Sequence, residues 1–266
     1  MVTVLERTVL SNRINPNRLQ HQNGIHTTLS PSAHHPCPLH ARQLRQRPQI
    51  RPRIAQPLLP PHHIPRLRPL PPPPAVQFDA IVSPANSYGR LDGGFDDAIS
   101  RALSPRDDYL ALTRVAQQRL YDEWRGFAPP GTCTLVRVPP DFQARSKNVW
   151  GTKYLALCPT MRIPQEVTWD REVVYECIWS LLCAVDKHNR SVHAGSGDAT
   201  EEIRSLLMVP MGTSVGQISA EKWASQTALA LKHYIDAVEN PTKWSALEPI
   251  QIYEHVNEVV ATYTHT

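Results

Sequence analysis

Val82-Ser83-Pro84-Ala85-Asn86-Ser87-Tyr88-Gly89-Arg90-Leu91-Asp92-Gly93-Gly94-Phe95-Asp96-Asp97-Ala98-Ile99 is the stretch on which the reading of this chain turns. The run ahead of it, Phe78-Asp79-Ala80-Ile81-Val82, is short, apolar and stopped by Ser83-Pro84, which reads as a buried strand. A glycine-containing loop follows, and then a short helix to about Leu103. A strand, a glycine pair and a helix start in that order make a cradle for an anion. Glycines let backbone N–H groups approach a phosphate, and the helix dipole favours negative charge there. Each residue has a plainer reading as well. Asn86 suits a turn, Asp96 suits the first turn of a helix, Gly93 and Gly94 suit an ordinary bend, and Arg90 suits a solvated loop.

Downstream, Ser104-Pro105 predicts the start of a second helix, with Ser104 as N-cap and Asp107 and Asp108 at the positive end of the dipole. Its apolar stripe is Tyr109, Leu112, Ala116, Leu120 and Trp124, at helical spacing. Pro129-Pro130-Gly131 breaks the chain before a strand from Cys133 to Val138, and a second strand is expected over Val149 to Leu157. A long helix from Asp170 to His188 turns Val173, Val174, Ile178, Leu181, Leu182 and Val185 inward, and Ser191 to Thr200 reads as a loop. Ile203 to Val209 is another apolar strand. The loop Pro210–Ser219 leads from it into a helix from Ala220 to Glu239, stopped by Asn240-Pro241. A terminal helix is expected around His255 to Thr262.

Strands alternating with helices imply an α/β layer fold, and the apolar strands imply a sheet covered on both faces. Ligands of such sheets bind beyond the carboxyl ends of the strands. Two small-residue loops sit there, Ser83–Asp97 and Pro210-Met211-Gly212-Thr213-Ser214-Val215-Gly216-Gln217. Two such loops can clasp a diphosphate between them.

The composition divides the chain. Residues 1–75 hold 15 of the 26 prolines, 7 of the 12 histidines and ten arginines against one acid, Glu6. That segment carries +9 and leaves −5 on the other residues, so the pI of 8.9 says nothing basic about the folded part. No helical or strand period runs through it, and Pro69 to Pro74 contains only prolines and Leu70. The composition favours a disordered segment, genuine or a misassigned gene start, over a mitochondrial targeting signal built on Arg7, Arg13 and Arg18. The domain division is therefore residues 1–75 against residues 76–266.

Other classes fall away. No stretch approaches the ~18 consecutive apolar residues of a membrane span, and the N-terminus lacks the apolar core of a secretory signal. Five widely spaced cysteines read as free thiols of an intracellular protein, cytoplasmic or nuclear. His34-His35-Pro36-Cys37-Pro38-Leu39-His40 lacks a second ligand pair, so no metal is expected, and nothing calls for a cofactor. Nucleic acid contact is expected only of the arginine-rich segment.

The two loops resemble those of the macro domain family, in particular its fungal macro-domain-like members. Ser83-Pro84-Ala85-Asn86 is similar to the family's Asn-(Pro/Ala)-Ala-Asn motif, with serine at the first position. Gly93-Gly94-Phe95-Asp96 is similar to its glycine run, and Pro210, Gly212, Thr213 and Gly216 to its diphosphate loop. The resemblance covers about Phe78 to Pro241. It implies a three-layer α/β/α sandwich that binds ADP-ribose or an ADP-ribosylated protein. Asn86 and Asp96 would meet the distal ribose and, in members that hydrolyse ADP-ribosyl bonds or ADP-ribose phosphoesters, its attacking water. Ser83, Ala85, Gly93, Gly94, Phe95, Gly212, Thr213, Ser214, Val215 and Gly216 would complete the ligand site. The chain departs from the pattern at Leu91-Asp92 in the glycine run, at Ser83 and Ser214, and upstream, where nothing matches the family's adenine-reading aspartate. Those departures motivate an alternative, a non-catalytic interaction module with a degenerate pocket.

Overall fold

The computed structural model describes residues 3–5, 76–195 and 199–264. They belong to a unit formed by Met1–Ile14 with Pro74–Thr266. A second unit, Asn15–Pro73, lies outside the described residues, and with it the His34–His40 cluster, Cys37 and the proline run.

Five strands form one sheet: β1 (Thr3–Leu5), β2 (Ala80–Ser83), β3 (Thr134–Arg137), β4 (Tyr154–Leu157) and β5 (Leu206–Met208), in the order β1-β5-β2-β4-β3. The central strands β5, β2 and β4 are parallel, and both edge strands run antiparallel to their neighbours. Ala80, Val82, Tyr154 and Ala156 face one side and Ile81, Leu155 and Leu157 the other, the period-2 alternation of a sheet buried on both faces. One face is covered by α4 (Val173–Ala194) and α5 (Ala220–Glu239), the other by α1 (Gly94–Leu103) and α2 (Ala111–Trp124). The fold is thus an α/β/α sandwich with two hydrophobic cores. The short α3 (Phe142–Arg145) and α6 (Pro241–Trp244) and the terminal α7 (Pro249–Val260) complete it.

Several expected boundaries move. α2 begins at Ala111, not at Ser104-Pro105. Ser104 closes α1 instead, its N–H donating to the Ser100 carbonyl, while its hydroxyl donates to the Tyr109 carbonyl and accepts from the Leu112 N–H. Through that last bond it still serves the first turn of α2, accepting from an N–H that has no partner within the helix. β4 is shorter than Val149–Leu157 because Gly151 takes a positive φ of 73° and Val149 is exposed. α4 runs on to Ala194, into the expected loop, and residues 196–198 lie outside the described residues. α7 starts at Pro249 rather than near His255, because Glu248 and Gln251 form a capping box there. Within the segment that carries no sequence period, β1 pairs its backbone with β5, Thr3 opposite Met208 and Leu5 opposite Leu206.

Cys133, Cys158 and Cys177 are buried free thiols and Cys183 is exposed. Burial pushes the Cys177 thiol well up, the state of an inert core residue. Among the described residues no helix is long and apolar enough to cross a membrane.

Candidate functional site

The chain leaving each of the three parallel strands supplies a wall of one cleft of about 240 Å³. Beyond β2 stand Asn86 and the stretch from Asp92 to Asp96, beyond β4 Thr160 and Met161, and beyond β5 Pro210, Gly212 and Gly216. The position follows from topology, since parallel strands leave their carboxyl ends on one edge.

The first two walls are zipped together. Pairing of β2 with β4 continues past the sheet, with the Cys158 N–H donating to the Ser83 carbonyl (2.9 Å), Thr160 to Ala85 (3.2 Å) and Ser87 to Met161 (3.0 Å). Asn86 organises the loop around it. Its Oδ1 accepts from the N–H groups of Tyr88 (3.0 Å) and Arg90 (3.3 Å), and its Nδ2 donates to the Arg90 carbonyl (2.8 Å). That leaves one Nδ2 hydrogen for a ligand.

α1 starts in the cleft. Gly93 is its extended N-cap and Gly94 has φ +55°, no side chain caps the helix, and the N–H groups of Gly94, Phe95 and Asp96 make no hydrogen bond among the described residues. The two acids of that turn live in opposite surroundings. Asp97 faces outward, bonded to Arg101 (2.8 Å) and to the Tyr109 hydroxyl, and both hold its carboxyl below the usual range. Asp96 is 7% exposed and accepts from the Ser83 hydroxyl at 2.5 Å. Burial pushes it up to about 6, the Ser83 hydrogen bond opposes that, and the nearby Asp92 carboxylate adds to it. Asp92 itself is paired, its Oδ2 accepting from Nε (2.8 Å) and Nη2 (2.5 Å) of Arg90.

The second loop is set by internal bonds. The Gly212 carbonyl accepts from the Ile218 N–H (3.0 Å), the Gln217 N–H donates to Ser214 (3.1 Å), and the Gly216 carbonyl accepts from buried Val167 (3.1 Å). The N–H groups of Ser214, Val215 and Gly216 make no hydrogen bond among the described residues. Two sets of backbone donors therefore border one cleft, with a buried carboxyl at its base.

No protein-family model matches the chain, and no curated protein matches it. Solved structures of the Oceanobacillus iheyensis macrodomain are similar to it. With ADP, that domain is 16% identical over 62% of this chain and 73% of its own, at a TM-score of 0.41. With MES bound the figures are 15%, 60%, 71% and 0.40, and for a point mutant with ADPR they are 14%, 60%, 72% and 0.40. A likeness this distant carries no argument about a ligand, so the functional reading stands on the cleft.

Of the residues singled out from the sequence, Asn86, Gly93, Gly94, Phe95, Asp96, Gly212, Ser214, Val215 and Gly216 line the cleft. Ser83, Ala85 and Thr213 do not. Ser83 is fully buried and holds Asp96, Ala85 belongs to the core, and the Thr213 hydroxyl donates back to the Pro210 carbonyl (3.1 Å). Asp79, the acid nearest upstream, accepts from the N–H groups of Arg204 and Ser205 and from the Ser205 hydroxyl, a structural tie between β2 and β5. Tyr88 packs on Phe127, ring centroids 5.7 Å apart, and leaves the cleft clear. The wall beyond β4, Thr160 with Met161 and Pro164, went unread because it contains no glycine; the strand-end rule applied to a third strand points to it.

Proposed function

We propose that the cleft binds ADP-ribose, free or attached to a protein. The observation that carries the reading is the meeting of two glycine loops at the ends of the neighbouring parallel strands β2 and β5, each presenting unpaired backbone N–H groups. Such donors, with the α1 dipole behind one set, suit a diphosphate. The distal ribose then falls to Asn86 and Asp96, and the ion pair with Arg90 screens the Asp92 carboxylate. Residues 76–266 form the ligand-binding unit on this reading, in an intracellular protein.

Hydrolysis of the ADP-ribosyl bond is the further step. Asp96 holds one oxygen in its bond to Ser83, and burial pushes its carboxyl up to about 6, into the range where a carboxyl can take a proton from water and return it. Loop amides would hold the diphosphate and so fix the distal ribose, where the bond to the protein breaks, beside Asp96. The alternative, binding without turnover, draws support from Asn86, whose carboxamide is mostly engaged by its own loop.

Titration calorimetry of the full chain with ADP-ribose is expected to give saturable heat with one site per chain. No heat at ~1 mM ligand, the weak end of specific affinity, would remove the proposal. With binding in hand, release of ADP-ribose from a modified protein separates the two readings. Turnover lost in Asp96→Ala with affinity retained marks a hydrolase, and no turnover in the parent protein marks a binding module.

A further inference from the structure

We infer that Thr160 is a ligand-binding residue of the cleft, its hydroxyl hydrogen-bonding an oxygen of the diphosphate–ribose. The inference rests on the cleft being an ADP-ribose site. Thr160 lines the cleft, yet it is 1% exposed and its Oγ1 has no hydrogen-bond partner among the described residues. Buried hydroxyls are as a rule bonded, and one left unpaired weakens the fold. The other buried side-chain groups in that condition, on Thr113, Thr152, Trp223, Thr227 and His255, stand away from the cleft lining. Thr160 is the one whose missing partner coincides with a binding surface.

The backbone holds Thr160 in place. Its N–H is bonded to the Ala85 carbonyl, and the next residue, Met161, bridges to Asn86 and accepts from Ser87. The hydroxyl therefore sits beside the loop that carries Asn86, on a segment that cannot drift. Oγ1 is one of three groups on Cβ, so a change of χ1 well, about 120°, redirects the hydroxyl and turns it to a ligand. A hydroxyl donates and accepts, which suits a phosphate oxygen or a sugar hydroxyl equally.

Thr160→Val keeps the shape and removes the polar atom, and the inference gives it two effects of opposite sign. The melting temperature without ligand rises, because an unpaired buried group is gone. Affinity for ADP-ribose falls roughly five- to tenfold, the loss of one ordinary hydrogen bond. Thr160→Ser restores the affinity. A purely structural threonine would move stability and leave affinity unchanged. Calorimetry with ADP beside ADP-ribose locates the contact: both weaken if the hydroxyl meets the diphosphate, and only ADP-ribose weakens if it meets the distal ribose. Wild-type affinity for both ligands in Thr160→Val overturns the inference and leaves the cleft's function standing. A parent protein that binds neither ligand removes that function and the inference with it.

Discussion

Gly216→Ala is expected to lower stability by about 3 kcal/mol, at the upper end of what overpacking a tight site costs, and to abolish ligand binding. A Cβ at Gly216 would stand 2.5 Å from the Gly212 carbonyl oxygen and 2.9 Å from Cγ2 of Val167. Neither neighbour can yield cheaply. The Gly212 carbonyl already accepts from Ile218, which closes the loop at the start of α5, and Val167 is buried and bonded to the Gly216 carbonyl. Relief of the clash must open the loop or displace the Val167 segment, and either movement separates the N–H groups of Ser214 to Gly216 from the cleft. In a domain of this size the melting temperature should fall by roughly 6–12 °C. Gly93→Ala is the matched control. Gly93 has extended backbone, and a Cβ there meets nothing within 4 Å. Its melting temperature should stay within about 2 °C of the parent, as for a substitution that meets no neighbour, while its new methyl group obstructs a ligand lying against the α1 N-terminus. Equal stability of the two variants would mean that the second loop is not packed as described.

The contrast between those glycines shows what a sequence can and cannot convey. Both loops were legible because strand, glycine and helix start follow one another in a fixed local order, and local order is what chain spacing records. The end of α5 at Glu239 was legible because Asn240-Pro241 stops it, a local signal, and the structure adds the Ser219 side chain as the cap of its start. Which glycine is demanded by packing and which by access is a different matter. It depends on Val167 and Ile218 approaching from other parts of the loop and chain. The same limit explains Ser104, whose reading as the local start of a helix was sound but whose hydroxyl reaches the Leu112 N–H of α2 from eight residues away, across a turn that bonds it to the Tyr109 carbonyl. It also explains Thr160. Its place in the cleft comes from a three-strand arrangement, not from any motif around it. Ser83 was legible as a departure from a motif, but its consequence, a hydroxyl beneath the Asp96 carboxyl, required the packing of α1 on β2.

That hydroxyl and carboxyl set up the other large effect. Asp96→Asn is expected to make the protein more stable at neutral pH and, on the proposed hydrolase reading, to lose turnover. The Asp96 carboxyl rises from 3.8 to about 6 in the folded protein, so folding favours its protonated form. The associated stability is complete below pH 3.8 and is lost as the pH rises through 6, a swing of about 3 kcal/mol for a shift of two units. Above pH 6 the parent therefore buries a charge that asparagine does not have. Asparagine keeps the shape, and its carbonyl oxygen can still accept from Ser83. The variant gives up a favourable charge in the first turn of α1, about 0.5 kcal/mol, which leaves a net gain of roughly 2–3 kcal/mol. At pH 7.5 that corresponds to a melting temperature higher by roughly 4–12 °C. Other carboxylates, among them Asp236, lowered to about 2 by Lys243 and Trp244, shape the acid limb of the parent profile in the opposite sense. The informative quantity is therefore the difference between variant and parent, in which those groups cancel. It should climb between about pH 4 and 6 and then level off, following the ionisation of one buried carboxyl. A difference that is flat with pH would show that Asp96 is not held as an ionised buried group, and its fitness as a base near neutrality would go with it. A climbing difference, paired with lost turnover and retained ADP-ribose affinity, would identify the instability of the parent above pH 6 as the cost of keeping a reactive carboxylate at the base of the cleft.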